Sequence, residues 1–190
     1  MLFRSDLELR DPVPLPGTGT TVRGDALELA PSLGSFDLAY LDPPYNQHRY
    51  FTNYHIWETL VRWDAPEHYG VACKRIDSRD PGTRSVFNAQ REMPAAFADL
   101  VRRARAEVVV VSYNDESWIT AEQMMDSLRD AGHEDVRMLE FDSKRYVGAQ
   151  IGIHSPSGKK VGTVSRLRNV EYVFVAGPTA KVEAAMAAAG

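Results

Sequence analysis

The sequence has a single cysteine, Cys73, among its 190 residues. One thiol excludes an internal disulfide and supplies no cysteine cluster for a structural zinc site. No run approaches the roughly 18 apolar residues that cross a bilayer. Charged residues stand at the start of the chain, where a secretory signal needs an apolar stretch. The sequence therefore predicts a cytoplasmic protein that does not enter a membrane.

Excess positive charge is also lacking, since the net charge is −4 at neutral pH. Taken alone, this balance argues against a nucleic-acid partner. The apolar fraction of 44% is high enough to exclude a disordered chain, and the length suits one hydrophobic core. We therefore expect a single domain over residues 1–190, and the local distribution of charge must decide the partner.

Short β-rich runs alternate with helical patterns along the chain. This alternation predicts an α/β fold with a largely parallel sheet. The run over 107–113 is nearly all β-branched, which is typical of a strand buried on both faces, so we place it at the centre of the sheet. Strands are predicted at 20–23, 36–41, 107–113, 136–141 and 170–175, and helices at 54–63, 94–105 and 121–131 and from 179 onward.

The tetrapeptide Asp42-Pro43-Pro44-Tyr45 ends the predicted strand over 36–41. Ligands bind at the carboxyl ends of strands in open α/β sheets, so this acid stands where a site is expected. The motif combines an acceptor-only carboxylate, a rigid turn without backbone donors and an aromatic ring. Such a combination suits a flat amine. The alternative is a plain turn that Asp42 caps, with Tyr45 packed on the surface.

The order of these parts resembles the Dam-like class of adenine-specific DNA methyltransferases. The resemblance rests on Gly24-Asp25-Ala26, on the Asp-Pro-Pro-Tyr motif and on Phe51-Thr52-Asn53-Tyr54-His55, and it runs from about Thr21 to Gly177. It implies a Rossmann-like sheet, S-adenosylmethionine as the methyl donor and double-stranded DNA as the partner. The implied reaction methylates the exocyclic amine of a flipped adenine within a restriction-modification system, and the four motif residues would be catalytic.

The chemistry of that reaction explains the motif. The lone pair of an adenine amine is delocalised into the ring, so the amine is a weak nucleophile until acceptors favour a tetrahedral geometry. Asp42 can accept one amine hydrogen, and the carbonyl of Pro43, which the second proline holds in place, can accept the other. Tyr45 offers a ring on which the flipped base stacks.

Three residues before this strand are implied to hold the methyl donor. By the resemblance, Asp25 accepts hydrogens from the donor's adenine amino group, while Gly24 lets the chain approach closely and Ala26 follows it. From the sequence alone, a turn or N-cap role for Asp25 is an equal alternative.

Aromatic, amide and imidazole side chains follow the motif and are of the types that stack on bases or bind their edges. We expect Tyr50, Phe51, Tyr54 and His55 to contribute to a wall or lid of the base pocket, although two of the three aromatics could belong to the core. His48 and His55 lack partners at metal-ligand spacing, so no metal is expected. The resemblance implies that Tyr113 or Asn114 contacts the target base, with helix capping by Asn114 or Asp115 as the alternative.

Positive charge is concentrated in one arm over residues 143–168, which contains six Lys or Arg residues and no acid. This segregation is the electrostatic pattern of a polyanion site, and a hairpin is predicted around 155–158. A solvated hairpin with incidental charge is the alternative. The arm residues predicted to contact DNA are Lys144, Arg145, Tyr146, Lys159, Lys160, Arg166 and Arg168. Residues 62–91 form a second basic segment that we interpret as a target-recognition insertion.

The front of the chain departs from the family pattern. The family has two earlier strands and a glycine-rich loop near the methionine part of the donor, whereas about twenty residues precede the first predicted strand here. The sheet is therefore expected to be incomplete on its N-terminal side. The explanations are an incomplete chain, a split enzyme completed by an N-terminal half or a homodimer, or a protein that no longer methylates. The alternative functions are methylation of a guanine amine in RNA and a non-catalytic nucleic-acid-binding module.

Overall fold

A four-stranded mixed sheet organises the fold in a computed structural model of the protein, which describes residues 11, 13–14, 16–144, 153–154, 160–162 and 168–189. The strands are β1 (Phe36–Leu41), β2 (His68–Tyr69), β3 (Lys74–Arg75), β4 (Ala106–Asn114), β5 (Asp135–Lys144), β6 (Ile153–His154), β7 (Lys160–Gly162) and β8 (Arg168–Gly177). The helices are α1 (Ala26–Leu29), α2 (Tyr50–Asn53), α3 (His55–Arg62), α4 (Met93–Arg103), α5 (Ala121–Asp130) and α6 (Thr179–Ala189).

The main sheet has the strand order β1-β4-β8-β5. Strand β1 pairs in parallel with β4, whereas β8 is antiparallel to both β4 and β5. The α/β class is as predicted, but the sheet is mixed rather than largely parallel. The reason is the connection between β5 and β8: Lys144 pairs with Arg168, so the chain leaves and re-enters the sheet at one end through the arm, as antiparallel neighbours do.

The predicted strand over 36–41 is confirmed with the same bounds, and the later three are each longer than predicted. The strand predicted over 20–23 is wrong, because these residues are irregular and exposed. A four-residue run whose only large apolar side chain is Val22 buries too little surface to hold a place in the sheet.

Helices cover the two faces of the sheet unequally. On one face, α4 and α5 enclose the main core, which includes Phe97, Val109, Val111, Met124 and Phe174. Helix α5 begins with an N-cap at Thr120, whose side chain accepts from the backbone of Gln123 in a capping box. On the other face, α6 packs Val182 against the central strands. None of the described helices is long and apolar enough to cross a membrane.

Strand β1 lies at the edge of the sheet, and its side chains on the α6 face are uncovered. Phe36, Leu38 and Tyr40 are 47%, 55% and 60% exposed, because α6 reaches only the inner strands among the described residues. Three neighbouring apolar side chains on one edge strand form a contiguous patch of the kind that marks an interaction site. We call this patch the open face of β1.

The predicted hairpin in the arm is confirmed at its base. Strands β6 and β7 pair antiparallel, with Ile153 opposite Gly162. The tip over 155–159, where the turn was predicted, lies outside the described residues.

Candidate active site

Asp42 stands directly after β1, at the carboxyl end of the strand, and its side chain is exposed. It faces a pocket of 230 Å³. None of the ion pairs between described residues involves Asp42. Within the part of the chain that the structure describes, the carboxylate therefore borders a cavity without a neutralising cation. The pocket is lined by Ala26, Tyr40, Leu41, Asp42, Pro43, Pro44, Phe87 and Leu100.

Two hydroxyl groups hold one oxygen of this carboxylate. The hydroxyl of Ser112 donates to Asp42 Oδ1 at 3.0 Å, and that of Tyr45 donates to the same oxygen at 3.4 Å. The register explains the meeting with Ser112: Leu41 pairs with Val111 in the parallel ladder, so the next residue of each strand lies side by side. No donor is recorded at Asp42 Oδ2 within the described ranges, which leaves that oxygen able to accept.

Tyr45 is fixed by its neighbours at the end of the sheet. Its ring meets the ring of Tyr113 edge to face, with centroids 5.6 Å apart and an interplanar angle of 76°. Burial, followed by the negative charge of Asp42, raises the pKa of Tyr45 above its ordinary value. The phenol therefore stays protonated and remains a donor to the carboxylate.

Tyr113 and Asn114 lie in supporting positions rather than in the cavity. Tyr113 is 1% exposed, and its hydroxyl donates to the sulfur of Met93. The Asn114 side chain, also buried, accepts from the backbone of Glu116. The structure thus corrects the prediction of base contact for Tyr113, which braces Tyr45 from the core. Asn114 holds a turn and not the start of a helix, because the next helix is capped by Thr120, so the helix-capping alternative for Asn114 is wrong.

Glu171, which the sequence did not indicate as a site residue, lies beside Asn114 on the neighbouring strand. Glu171 is the β8 partner of Asn114 in the ladder. Burial raises the pKa of Glu171, and the negative charges of Asp115 and then Asp42 raise it further. Only the β4–β8 register brings Glu171 to this end of the sheet, so no local pattern could have indicated it.

An aromatic cleft opens beside the Asp42 pocket. Tyr50, Phe51, Tyr54 and Trp57 line one side of a cleft of 640 Å³. The Tyr50 and Tyr54 rings are exposed and lie 5.9 Å apart, while Phe51 is partly buried. Burial, followed by the charge of Asp42, raises the pKa of Tyr50, which links the cleft electrostatically to the motif. All three predicted aromatics thus line one cavity, and Trp57 is an addition.

His55 does not share this cleft. It is 8% exposed at the start of α3 and borders a separate small pocket that Cys73 and Arg75 also line. The structure therefore corrects its predicted place in the wall of the base pocket. The sequence could not show that this segment forms two short consecutive helices, and the break between them decides which side chains face the cleft. Among the described residues, no group of three His, Cys, Asp or Glu side chains is arranged to hold a metal ion.

Gly24, Asp25 and Ala26 lie close to the motif. Asp25 caps α1 by accepting from the backbone of Leu27 at 2.8 Å through Oδ1. Ala26 lines the Asp42 pocket, and both Gly24 and Ala26 line an adjoining apolar pocket of 430 Å³. The described residues supply no recorded donor to the other oxygen of Asp25. A carboxylate of this kind beside an apolar pocket fits the adenosine end of the expected donor.

Residues 62–91 brace the loop that follows the motif. Asn88 donates to the carbonyl of Asn46 at 2.9 Å, and Arg49 donates to the hydroxyl of Thr83 at 3.0 Å. The segment contains the β2–β3 ladder and three 3-10 turns, at Ile76–Arg79, Pro81–Thr83 and Val86–Asn88. Its described contacts therefore support the shape of the Asp42 site.

Arg75 is the internal anchor of this segment. It is 2% exposed and binds Asp64 and Asp77, with Nη2 at 2.9 Å and 2.8 Å from their carboxylates. A guanidinium enclosed in this way is not free for a phosphate group. Arg79 stacks on the ring of Tyr69 at 3.8 Å, and Arg62 pairs with Asp77 at 3.4 Å. With Arg75, three basic residues of the segment therefore have internal partners.

The Arg75 cluster should make stability depend on acidity. Hydrogen bonds from Arg75 lower the pKa of Asp64 and Asp77 in the folded state. Their contribution is complete above the pKa of an unfolded Asp, about 4, and is lost as the pH falls through the lower folded values. We expect Asp64→Asn with Asp77→Asn to flatten the fall in the urea unfolding midpoint between about pH 5 and 2. Asp37→Asn, which changes an exposed carboxylate without a recorded ion pair among the described residues, should leave that fall unchanged. Parallel curves for the wild type, the double variant and Asp37→Asn would contradict the assignment.

The structure describes the predicted DNA-binding arm at its two ends and in the short strands β6 and β7. Lys144 is exposed at the end of β5, and Arg168 pairs with Asp142 at 2.6 Å. The arm sequence contains no acid, but a residue just outside it meets Arg168, so this charge is partly neutralised. Lys160 lies in β7. Arg145, Tyr146, Lys159 and Arg166 lie outside the described residues.

A family model matches this chain over residues 18–126, and its description is "D12 class N6 adenine-specific DNA methyltransferase". The match includes Gly24-Asp25-Ala26, the Asp42 motif and the aromatic cleft. It ends within α5.

Three curated relatives are similar to the chain. The Type II methyltransferase M.FokI of Planomicrobium okeanokoites is 32% identical over 113 residues, which are 58% of this chain and 17% of that one. The modification methylase LlaI of Lactococcus lactis subsp. lactis is 30% identical over 68% of this chain and 20% of its own length. The Type II methyltransferase M.NlaIII of Neisseria lactamica is 29% identical over 63% of this chain and 34% of its own. The chain thus spans between about a sixth and a third of these relatives. No solved structure matches it significantly.

Proposed function

The chain belongs to the D12 class of N6 adenine-specific DNA methyltransferases, and we propose that it methylates the exocyclic amine of an adenine flipped out of double-stranded DNA. The observation that carries this proposal is the state of Asp42: exposed in a pocket, unpaired with any described cation, and bound by hydroxyls at only one oxygen. We assign the reaction to one catalytic domain over residues 1–190, which acts in the cytoplasm as the modification enzyme of a restriction-modification system.

The proposed role of the motif is to direct the amine. Asp42 accepts one amine hydrogen, and the carbonyl of Pro43, for which the described residues supply no donor, accepts the other. Both acceptors favour the tetrahedral nitrogen, whose lone pair is then available for attack. Among the described residues no cation pairs with either group, so both can accept a hydrogen of the amine.

The proposed pocket for the flipped base lies between the motif and the aromatic cleft. The rings of Tyr45, Tyr50 and Tyr54 supply stacking surfaces, with Phe51 behind them. Stacking offsets part of the few kcal/mol that base flipping costs. Tyr50 is close enough to Asp42 for the carboxylate charge to raise the pKa of its phenol, which supports the proposal that one base contacts both residues.

We propose that Gly24, Asp25 and Ala26 hold the adenosine part of S-adenosylmethionine, which when bound supplies an electrophilic sulfonium methyl. Ala26 lines both the Asp42 pocket and the adjoining apolar pocket, so a ligand in the apolar pocket would lie next to the motif. Asp25 keeps one carboxylate oxygen for this ligand while the other caps α1.

DNA is proposed to contact the arm over 143–168, including the residues outside the described ranges. Lys144 supports this placement, since it is exposed at the base of the arm. Lys160 and Arg168 belong to the same proposal. Residues 62–91 are proposed to contribute to target recognition through their exposed side chains, of which Arg84 has no recorded ion-pair partner among the described residues.

We further propose that a complementary N-terminal half covers the open face of β1 and completes the donor site. The support is the uncovered apolar edge strand beside the pocket that Gly24 and Ala26 line. Weak binding of S-adenosylmethionine by this chain alone is expected, and a submicromolar affinity measured by calorimetry would contradict the proposal. A homodimer in sedimentation velocity that Leu38→Glu dissociates would instead assign the covering role to a second copy.

The test of the function is transfer of a labelled methyl group at saturating S-adenosylmethionine. Label should enter N6-methyladenine in double-stranded DNA and should not enter RNA of the same sequence. Digestion of the product to nucleosides identifies the methylated base. Transfer to a guanine amine in RNA would overturn the proposal in favour of an RNA methyltransferase.

A further inference from the structure

Tyr40 of β1, Ser112 of β4 and Asp42, which directly follows β1, are joined by consecutive hydrogen bonds. The Tyr40 hydroxyl donates to Ser112 Oγ at 2.9 Å, and Ser112 Oγ donates to Asp42 Oδ1 at 3.0 Å. Tyr40 and Asp42 share a face because strand side chains alternate, and Ser112 has the adjacent position on the parallel neighbour. The contact thus follows from the register of two strands.

The direction of this chain is fixed by a count of hydrogens. A serine hydroxyl has one hydrogen, and an ionised carboxylate has none. The hydrogen of Ser112 must therefore go to Asp42, and Tyr40 must supply the hydrogen that Ser112 accepts. Each donated bond strengthens the next one along the chain.

We propose that Ser112 and Tyr40 are positioning residues that hold Asp42 Oδ1, so that Oδ2 is the oxygen that accepts the amine hydrogen of adenine. The inference rests on the proposed function and assigns roles within the same site. Without these partners, the one donor recorded at Oδ1 among the described residues is the Tyr45 hydroxyl, at a longer 3.4 Å. That long hydrogen bond is too weak to stop the carboxylate from rotating about its Cβ–Cγ bond and exchanging its two oxygens. With Oδ1 bound from the side of β4, Oδ2 keeps one orientation. The assignment also gives a function to a half-buried serine that follows four valines in β4.

The experiment compares Ser112→Ala, Ser112→Thr and Tyr40→Phe with the wild-type chain, by crystal structure and by methyl transfer. Ser112→Ala should leave the Asp42 carboxylate in two orientations or rotated, and should lower kcat about 10- to 100-fold, as a misplaced catalytic group does. KM for DNA should stay unchanged, because the proposed contacts with DNA phosphates lie in the arm and not at Tyr40 or Ser112. Ser112→Thr, which keeps the hydroxyl, should restore both readouts, and Tyr40→Phe should give a smaller loss.

Each readout can overturn the inference separately from the function. An Asp42 side chain that keeps its orientation in Ser112→Ala crystals excludes the positioning role whatever the activity. A rotated carboxylate with unchanged kcat excludes it too. If the wild-type chain transfers no methyl group, the proposed function fails, while the orientation of Asp42 in the crystals still decides whether Ser112 holds it.

Discussion

Asp42→Ala is expected to lower the rate of methyl transfer by at least about 10²–10³-fold, the usual cost of removing one preorganised polar group from a reacting centre. The physical reason is that the amine then loses the acceptor that favours its tetrahedral geometry. DNA affinity should change little, because the proposed phosphate contacts lie in the arm. The measurements are single-turnover methyl transfer and fluorescence anisotropy with labelled duplex DNA.

Asp37→Ala is the matched control for this prediction. Asp37 lies on the same strand and is exposed, but it points to the opposite face from Asp42 and has no recorded partner among the described residues. Its replacement should leave both measurements at the wild-type level. Normal methylation by Asp42→Ala would show that the acid at the end of β1 does not act on the amine, and the proposed mechanism would be wrong.

The placement of Asp42 could be predicted because it depends on local patterns. A short apolar run indicates β1, and the two prolines end the strand at the carboxyl edge, where a side chain is available to a ligand. The capping box at Thr120 is of the same kind, since a few adjacent residues determine it. Features decided within about ten residues of chain were therefore accessible from the sequence.

The partners of Asp42 could not be predicted in this way. Ser112 and Glu171 come to the site through the β1–β4 and β4–β8 registers, which depend on the packing of the whole sheet. The direction of β8 likewise follows from the path of the arm and not from the composition of the strand. A single sequence indicates that strands exist more reliably than which residues they set side by side.

Helix α3 shows a second limit of sequence patterns. Its periodicity puts four apolar side chains on one face of the helix, which would normally be buried. All four are exposed: Ile56, Trp57, Leu60 and Val61. Periodicity identifies residues that share a face, but it does not say whether anything covers that face. The open face of β1 shows the same limit in a strand. Alternation places its apolar side chains on one face, but it does not show that this face is uncovered.

Phe97→Ala is expected to cost about 3–5 kcal/mol of unfolding free energy, whereas Phe36→Ala should cost less than about 2 kcal/mol. Phe97 is fully buried between α4 and the sheet, so its removal loses transfer free energy and leaves a cavity. The Phe36→Ala substitution removes the same atoms, but from a side chain that is already about half exposed on β1. The two variants therefore compare the covered face of the sheet with the open face at constant chemistry.

Urea unfolding followed by circular dichroism measures both values. If Phe97→Ala does not fold, Phe97→Leu provides a milder change of the same site, with a smaller loss in the same direction. A loss of several kcal/mol for Phe36→Ala in the isolated chain would show that the open face of β1 is already covered in solution. Because the proposed N-terminal half is absent from that experiment, the cover would have to come from this chain or a second copy of it, and a dependence of the midpoint on protein concentration would identify the second copy.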